Sequence, residues 1–67
     1  MYKVREYHKT GIQKGNIKQE TFFNSFKEAK SYYNAMFYYY DYSLNPTMWI
    51  KTDTSYKRIN PYDGKII

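Results

Sequence analysis

The side chains that most often carry out covalent or metal chemistry are nearly missing from this chain. His8 is its one histidine, there is no cysteine, and three glutamates and three aspartates are scattered along 67 residues. A nucleophilic dyad needs a base beside its nucleophile, and a structural zinc site needs a set of thiolates or imidazoles. Neither can be assembled from this inventory. The stretch Gly11-Ile-Gln-Lys-Gly15 has the glycines of a phosphate-binding loop, but lacks its strand-to-helix setting and its Lys-Ser/Thr ending. The chain therefore reads as non-enzymatic, with no metal and no cofactor, and His8 as a surface residue of a strand.

What the sequence does hold is aromatic and cationic chemistry. Ten tyrosines, four phenylalanines and one tryptophan accompany a net charge of +5. In a chain of this length neither a disulfide nor a metal is at hand to reinforce a small core. Aromatic rings are the available substitute, since each removes on the order of 150–250 Å² from water when buried. One stretch, YYNAMFYYYDY over residues 32–42, holds six of the tyrosines. A helix buries one stripe of such a segment, which leaves other rings to face something else.

The elements that must position these groups follow from local pattern. Residues 2–10 and 17–23 are rich in β-branched and aromatic side chains, and the TGIQKGN between them is loop chemistry, so they form a hairpin. Alternation puts Lys3, Arg5, Tyr7 and Lys9 on one face, and Tyr2, Val4, Glu6 and His8 on the other. Ser25-Phe-Lys-Glu28 is a capping box that opens a helix running to Tyr42, stopped by Asn45-Pro46. At 100° per residue, Phe26, Ala29, Tyr33, Met36, Phe37 and Tyr40 share its buried stripe, which Leu44 would extend. Tyr32 and Tyr39 lie on a flank, and Tyr38 and Tyr42 point away from the stripe. After Pro46, TMWIKT and YKRIN form a second hairpin, Pro61–Gly64 a turn, and residues 65–67 a last short strand or a frayed end. The predicted architecture is one α+β domain over residues 1–67, ordered β-β-α-β-β, with an antiparallel sheet and one long helix on one of its faces. No apolar run approaches the roughly 20 residues that cross a membrane, and the lack of cysteine suits a reducing, cytoplasmic setting.

Charge and rings are segregated along the chain. Residues 1–21 hold five basic and two acidic side chains, residues 22–50 two of each, and residues 51–67 four basic and two acidic. The positive charge belongs to the hairpins and the tyrosines to the helix. An uncovered sheet face carrying Lys3, Arg5, Tyr7, Lys9, Arg58 and Tyr56 suits single-stranded nucleic acid, through phosphate neutralisation and base stacking. The plainer alternative is a solvated face kept wet by lysine. Nine lysines against two arginines fit base readout poorly, because arginine forks dominate it. Tyrosine, in contrast, offers large rigid area and a hydroxyl at the cost of two torsions, which suits protein interfaces. Tyr38, Tyr39 and Tyr42 are the expected partner-binding residues.

The segment Phe-x-Ser-Phe-Lys-Glu-Ala-Lys-x-Tyr-Tyr at residues 23–33, within a Lys/Asn/Ile/Tyr-heavy chain, resembles small accessory proteins of bacteriophages and prophages from AT-rich hosts. That resemblance implies a single-domain modulator that blocks a host factor or a bacterial defence protein inside the bacterial cytoplasm. It implies no particular functional residue. The sequence thus leads to a binding protein with a protein partner, with a nucleic-acid or nucleotide ligand as the alternative and a homodimer left open.

Overall fold

In the computed structural model the structure describes residues 1–38 and 43–67, with the side chains of 37, 38 and 43–45 outside the description. The element order is β1 (Tyr2–His8), β2 (Ile17–Phe23), α1 (Phe26–Tyr38), β3 (Ser43–Lys51) and β4 (Tyr56–Ile59). All strand pairs are antiparallel, and the sheet order is β2-β1-β3-β4. The fold is α+β, and β1 sits beside both β2 and β3. The two hairpins therefore join through the first strand of one and the first strand of the other.

Helix α1 starts where its cap chemistry places it. The Ser25 hydroxyl accepts the Glu28 amide at 3.2 Å and donates to the Glu28 carboxylate at 3.0 Å. The helix packs chiefly across β3 and β1. Ala29 and Tyr33 from the helix meet Val4, Met48 and Ile59 from the sheet in the core, with Tyr2, Phe23, Phe26, Tyr32 and Ile50 packed around them. Met36 is buried as well. Phe37 and Tyr40, the remainder of the expected stripe, lie outside the described side chains and residues.

One boundary departs from the sequence reading. Asn45-Pro46 does not stop the helix, because it lies inside β3, and Leu44 belongs to that strand opposite Tyr7 rather than to the helical stripe. A proline in a central strand is tolerated where the ladder is already interrupted. Arg5 faces Thr47 and Tyr7 faces Leu44, so Asn45 and Pro46 together oppose Glu6. On the other side, Glu6 faces Gln19 while Tyr7 faces Ile17, which leaves Lys18 as the extra residue. Both neighbours of β1 thus bulge at the same level.

Glu6 sits at that level, fully buried on the helix side. It does not weaken the inner face, as alternation alone suggests, because its carboxyl oxygens are hydrogen-bonded there. The Tyr32 hydroxyl donates to Oε1. The Gln19 amide reaches both carboxylate oxygens at 3.2 and 3.3 Å, and also the Tyr32 oxygen at 3.2 Å. Thr21 donates to the same phenol oxygen at 3.3 Å. The hydroxyl of Tyr32, a flank residue of the helix, thus points inward to the carboxyl of Glu6. Burial and then the bond to Glu6 push its ionisation above the ordinary phenol range.

The C-terminal turn closes the sheet. Asn60 and Lys65 bond through N–H to O at 2.9 Å, and Ile66 bridges Ile59, so the end returns as a single bridge. Gly64 has φ +74, a backbone conformation that favours glycine, and a Cβ there would press on the Phe26 ring at 3.2 Å.

Replacing Tyr32 with Phe should remove the donor to a buried carboxylate and cost about 1–3 kcal/mol in denaturant unfolding. The raised phenol pKa supplies stability below the unfolded tyrosine value that is lost as pH rises through the folded one. The variant should lack that alkaline loss, and an identical alkaline limb in both proteins would contradict the role assigned to this hydroxyl.

Candidate functional site: the uncovered face of the sheet

The face opposite the helix carries the alternate residues of each strand. Across the sheet one row reads Phe22, Lys3, Trp49, Arg58, since Lys3 pairs with both Phe22 and Trp49, and Trp49 pairs with Arg58. The next row holds Glu20, Arg5 and Thr47, and Tyr56 opposite Lys51 lies on the other side of the first. Rings and cations therefore alternate along the first row.

Their contacts are mutual. One Glu20 oxygen accepts from Arg5 Nε at 2.7 Å and from Lys3 Nζ at 3.0 Å. The Arg5 guanidinium stands 4.5 Å from the Trp49 ring centroid, and Lys3 Nζ stands 4.2 Å from that of Tyr56. Trp49 donates its indole N–H to the Thr47 hydroxyl at 2.9 Å, and Tyr7 shares the same hydroxyl at 3.0 Å. In a flat sheet β2 and β4 would lie about 14 Å apart, at three strand spacings. The Phe22 and Tyr56 ring centroids are 6.3 Å apart. The two rings lean inward from opposite edges and roof over Lys3, which is only 7% exposed.

This corrects the picture of a face kept wet by lysine. Lysine is rarely buried unless its charge is met. Here a carboxylate takes the charge and a ring takes the ammonium face, each such cation–ring contact contributing about 0.5–2 kcal/mol as water is excluded. The hydrogen bond from Arg5, and then that from Lys3, hold the Glu20 carboxyl below the usual range. Glu20, Thr47, Trp49 and Phe22 are the members that sequence reading leaves out. The available signal was strand alternation in β2 and β3, which needs the register of both strands against β1 before it assigns a face.

The expected site residues distribute as follows. Lys3, Arg5, Tyr7 and Arg58 do share one face, with Arg58 exposed and Lys3 enclosed. Lys9 follows the last residue of β1 and is not part of the strand row. Tyr38 is the final residue of α1. Its side chain, and Tyr39 and Tyr42 altogether, lie outside the described residues. Among the described residues no group of three or more His, Cys, Asp or Glu could hold a metal ion, and no helix is long and apolar enough to cross a membrane.

Comparison with protein-family models, curated proteins and solved structures found no match.

Because the folded Glu20 pKa is lowered, its contribution to stability is complete above the unfolded glutamate value of about 4.3 and is lost as pH falls through the folded value. Trp49 is the one tryptophan, so its emission reports this cluster directly. An acid titration should show an emission change that Glu20→Gln abolishes, and the variant should unfold more readily at neutral pH. Retention of the same acid transition in Glu20→Gln would place its origin elsewhere.

Proposed function

We propose that this chain is a non-enzymatic binding protein that docks a protein with an acidic surface onto the uncovered face of its sheet. The observation that carries the reading is the composition and order of that face. Tyr7, Phe22, Trp49 and Tyr56 stand among Lys3, Arg5, Lys51 and Arg58, with Glu20 as the one carboxylate placed there among the described residues. Tryptophan, tyrosine and arginine are the side chains that most often anchor protein interfaces. Here Arg5 and Trp49 are held by neighbours before any partner arrives, so little side-chain freedom remains to be lost on binding. The surplus of positive charge steers an acidic partner towards the face and fixes its orientation.

Two features favour a protein over a single strand of nucleic acid. Arg5 and Lys3 already stand over the Trp49 and Tyr56 rings on which bases would stack. Glu20, between the two cations, sets a negative charge where phosphates would run. Inhibition of a host or bacterial defence protein is the form of binding that the resemblance of residues 23–33 implies. Tyr38, Tyr39 and Tyr42 belong to the proposal as further anchors on the sequence argument alone.

The exposed residue Arg58 and the half-exposed Phe22 can be changed without opening the helix-side core. A protein captured from bacterial lysate should survive nuclease treatment, and Arg58→Glu with Phe22→Ser should weaken its binding tenfold or more while the circular dichroism spectrum holds. A paired Tyr38→Ser, Tyr42→Ser variant shows whether these tyrosines share the interface. Tight retention of single-stranded oligonucleotides, lost steeply with salt, would replace this reading by the nucleic-acid one. Undiminished capture by the Arg58 and Phe22 variant would remove the sheet face from the interface.

A further inference from the structure

The two edges of the sheet are treated differently. An edge strand offers unpaired N–H and C=O groups to any other strand, and proteins usually guard it with charge, brevity or cover. The β4 edge has all three. It is four residues long, it carries exposed Lys57 and Arg58, and the C-terminal segment lies along it through the Ile59–Ile66 bridge and the bond from Ile67 N–H to the Arg58 carbonyl at 3.0 Å. The β2 edge is seven residues long and neutral within a chain of net charge +5, with Lys18 and Glu20 its only charged side chains. Among the described residues no segment pairs with its outer side. Ile17 and Phe22 are each 52% exposed on it.

The direction of its free backbone groups can be worked out. The Met1 carbonyl accepts from Lys51 in β3, whereas the His8 N–H and C=O both bond to the β1–β2 loop. Backbone groups alternate along a strand, so those of Tyr2, Val4 and Glu6 face β2, and those of Lys3, Arg5 and Tyr7 face β3. Their partners Phe23, Thr21 and Gln19 are therefore engaged with β1. Glu20 and Phe22 turn their N–H and C=O outward. Past the bulge at Lys18, the regular stretch of β2 is Gln19–Phe23, and Thr21 is its centre.

A twofold axis through Thr21 uses every one of these features. Glu20 of one copy then exchanges both backbone bonds with Phe22 of the other, and the reverse, while the two Thr21 side chains face each other as a close non-hydrogen-bonded pair. No like charges meet, since each Glu20 lies opposite a phenylalanine. We propose that β2 is a self-association edge, and that two copies of this chain pair antiparallel about Thr21 to form one eight-stranded sheet. The uncovered faces of the two copies then become continuous on one side, and the two helices lie together on the other.

The chain has no cysteine, so one introduced thiol reports its own surroundings. Directly opposite residues of a non-hydrogen-bonded antiparallel pair have Cα atoms about 4.5 Å apart, within disulfide range. Under mild oxidation Thr21→Cys should form a covalent dimer at least tenfold faster than Ser55→Cys, a control in the exposed β3–β4 turn. Sedimentation equilibrium of the unmodified chain, run from micromolar to millimolar concentration, should show a monomer–dimer equilibrium. A synthetic chain N-methylated at Phe22 keeps every side chain and removes one outward donor per copy. It should weaken that equilibrium about tenfold or more. A monomer throughout the range overturns the proposal. So does a dimer that N-methylation leaves intact, since its interface then lies elsewhere. Should Thr21→Cys fail to fold by circular dichroism, the N-methyl chain decides alone.

Discussion

A four-stranded sheet has two faces, and among the described residues there is one helix with which to cover them. That constraint governs the rest of the structure. The helix takes the face built from Val4, Met48, Ile50 and Ile59 and closes an apolar core on it. Among the described residues no second layer covers the opposite face, and an ordinary solution would leave it as a solvated array of lysines. Here the side chains close it themselves. Glu20 draws Lys3 and Arg5 together, the two cations stand over Tyr56 and Trp49, and Phe22 leans in from the far edge to complete the roof. The pairwise terms are individually small, since partly exposed ion pairs contribute about 0–1 kcal/mol each. Their joint effect is to hide the lysine stem and fix several rotamers at once, which a single pair would not do. A short chain without disulfides thereby gains a second ordered face from the side chains of the sheet itself.

The same economy explains the polar group inside the apolar side. A buried carboxylate is costly unless it is hydrogen-bonded on both oxygens. Glu6 has that coverage because Tyr32 reaches it from the helix and Gln19 from β2. Both neighbouring strands bulge at its level, and the proline of β3 falls at that interruption. The network thus ties helix, edge strand and central strand at the point where the ladder is weakest. It also fixes the flank of the helix that faces β2, because Tyr32 meets Gln19 and Thr21 of that strand as it reaches Glu6.

Much of this was legible in the residues. The two hairpins, the Ser25–Glu28 cap and the order of elements follow from alternation, turn composition and capping chemistry, each of which is local. The basic sheet face was legible in part, because Lys3, Arg5 and Tyr7 lie in one strand and alternate within it. Their partners were not, because Glu20, Trp49 and Tyr56 reach them from three other strands, and register across a bulged sheet is a non-local property. Leu44 and the stop at Asn45-Pro46 are misread for a related reason. No breaker precedes Asn45, so the helical stripe extends on the wheel to Leu44, whereas Ser43 and Leu44 pair with β1 and Pro46 lies inside β3. Tertiary pairing overrides propensity where the two compete. Tyr32 shows the limit of a helical wheel: its flank position was correct, but the inward aim of its hydroxyl depends on a carboxylate from another element.

Whether the closed face is a finished second core or a prepared interface turns on what its exposed members contribute. Lys3 and the Trp49 indole N–H have partners within the fold, and their contacts account for their presence. Arg58 and the outward part of Phe22 have weaker claims of that kind. Arg58 is exposed beside Trp49, and half of Phe22 remains in water although its ring edge already meets Tyr56. Removing Arg58 would cost the fold little and removing Phe22 would open only part of the roof over Lys3, whereas a partner laid on the face would meet both first. A rigid, cation-stacked floor with an exposed arginine and an exposed ring at its margins is organised as a protein interface is, with ordered anchors at the centre and charge at the rim. In the binding reading proposed above, the structural and binding roles are not alternatives, because the contacts that close the face are also the ones that would hold it ready for a partner.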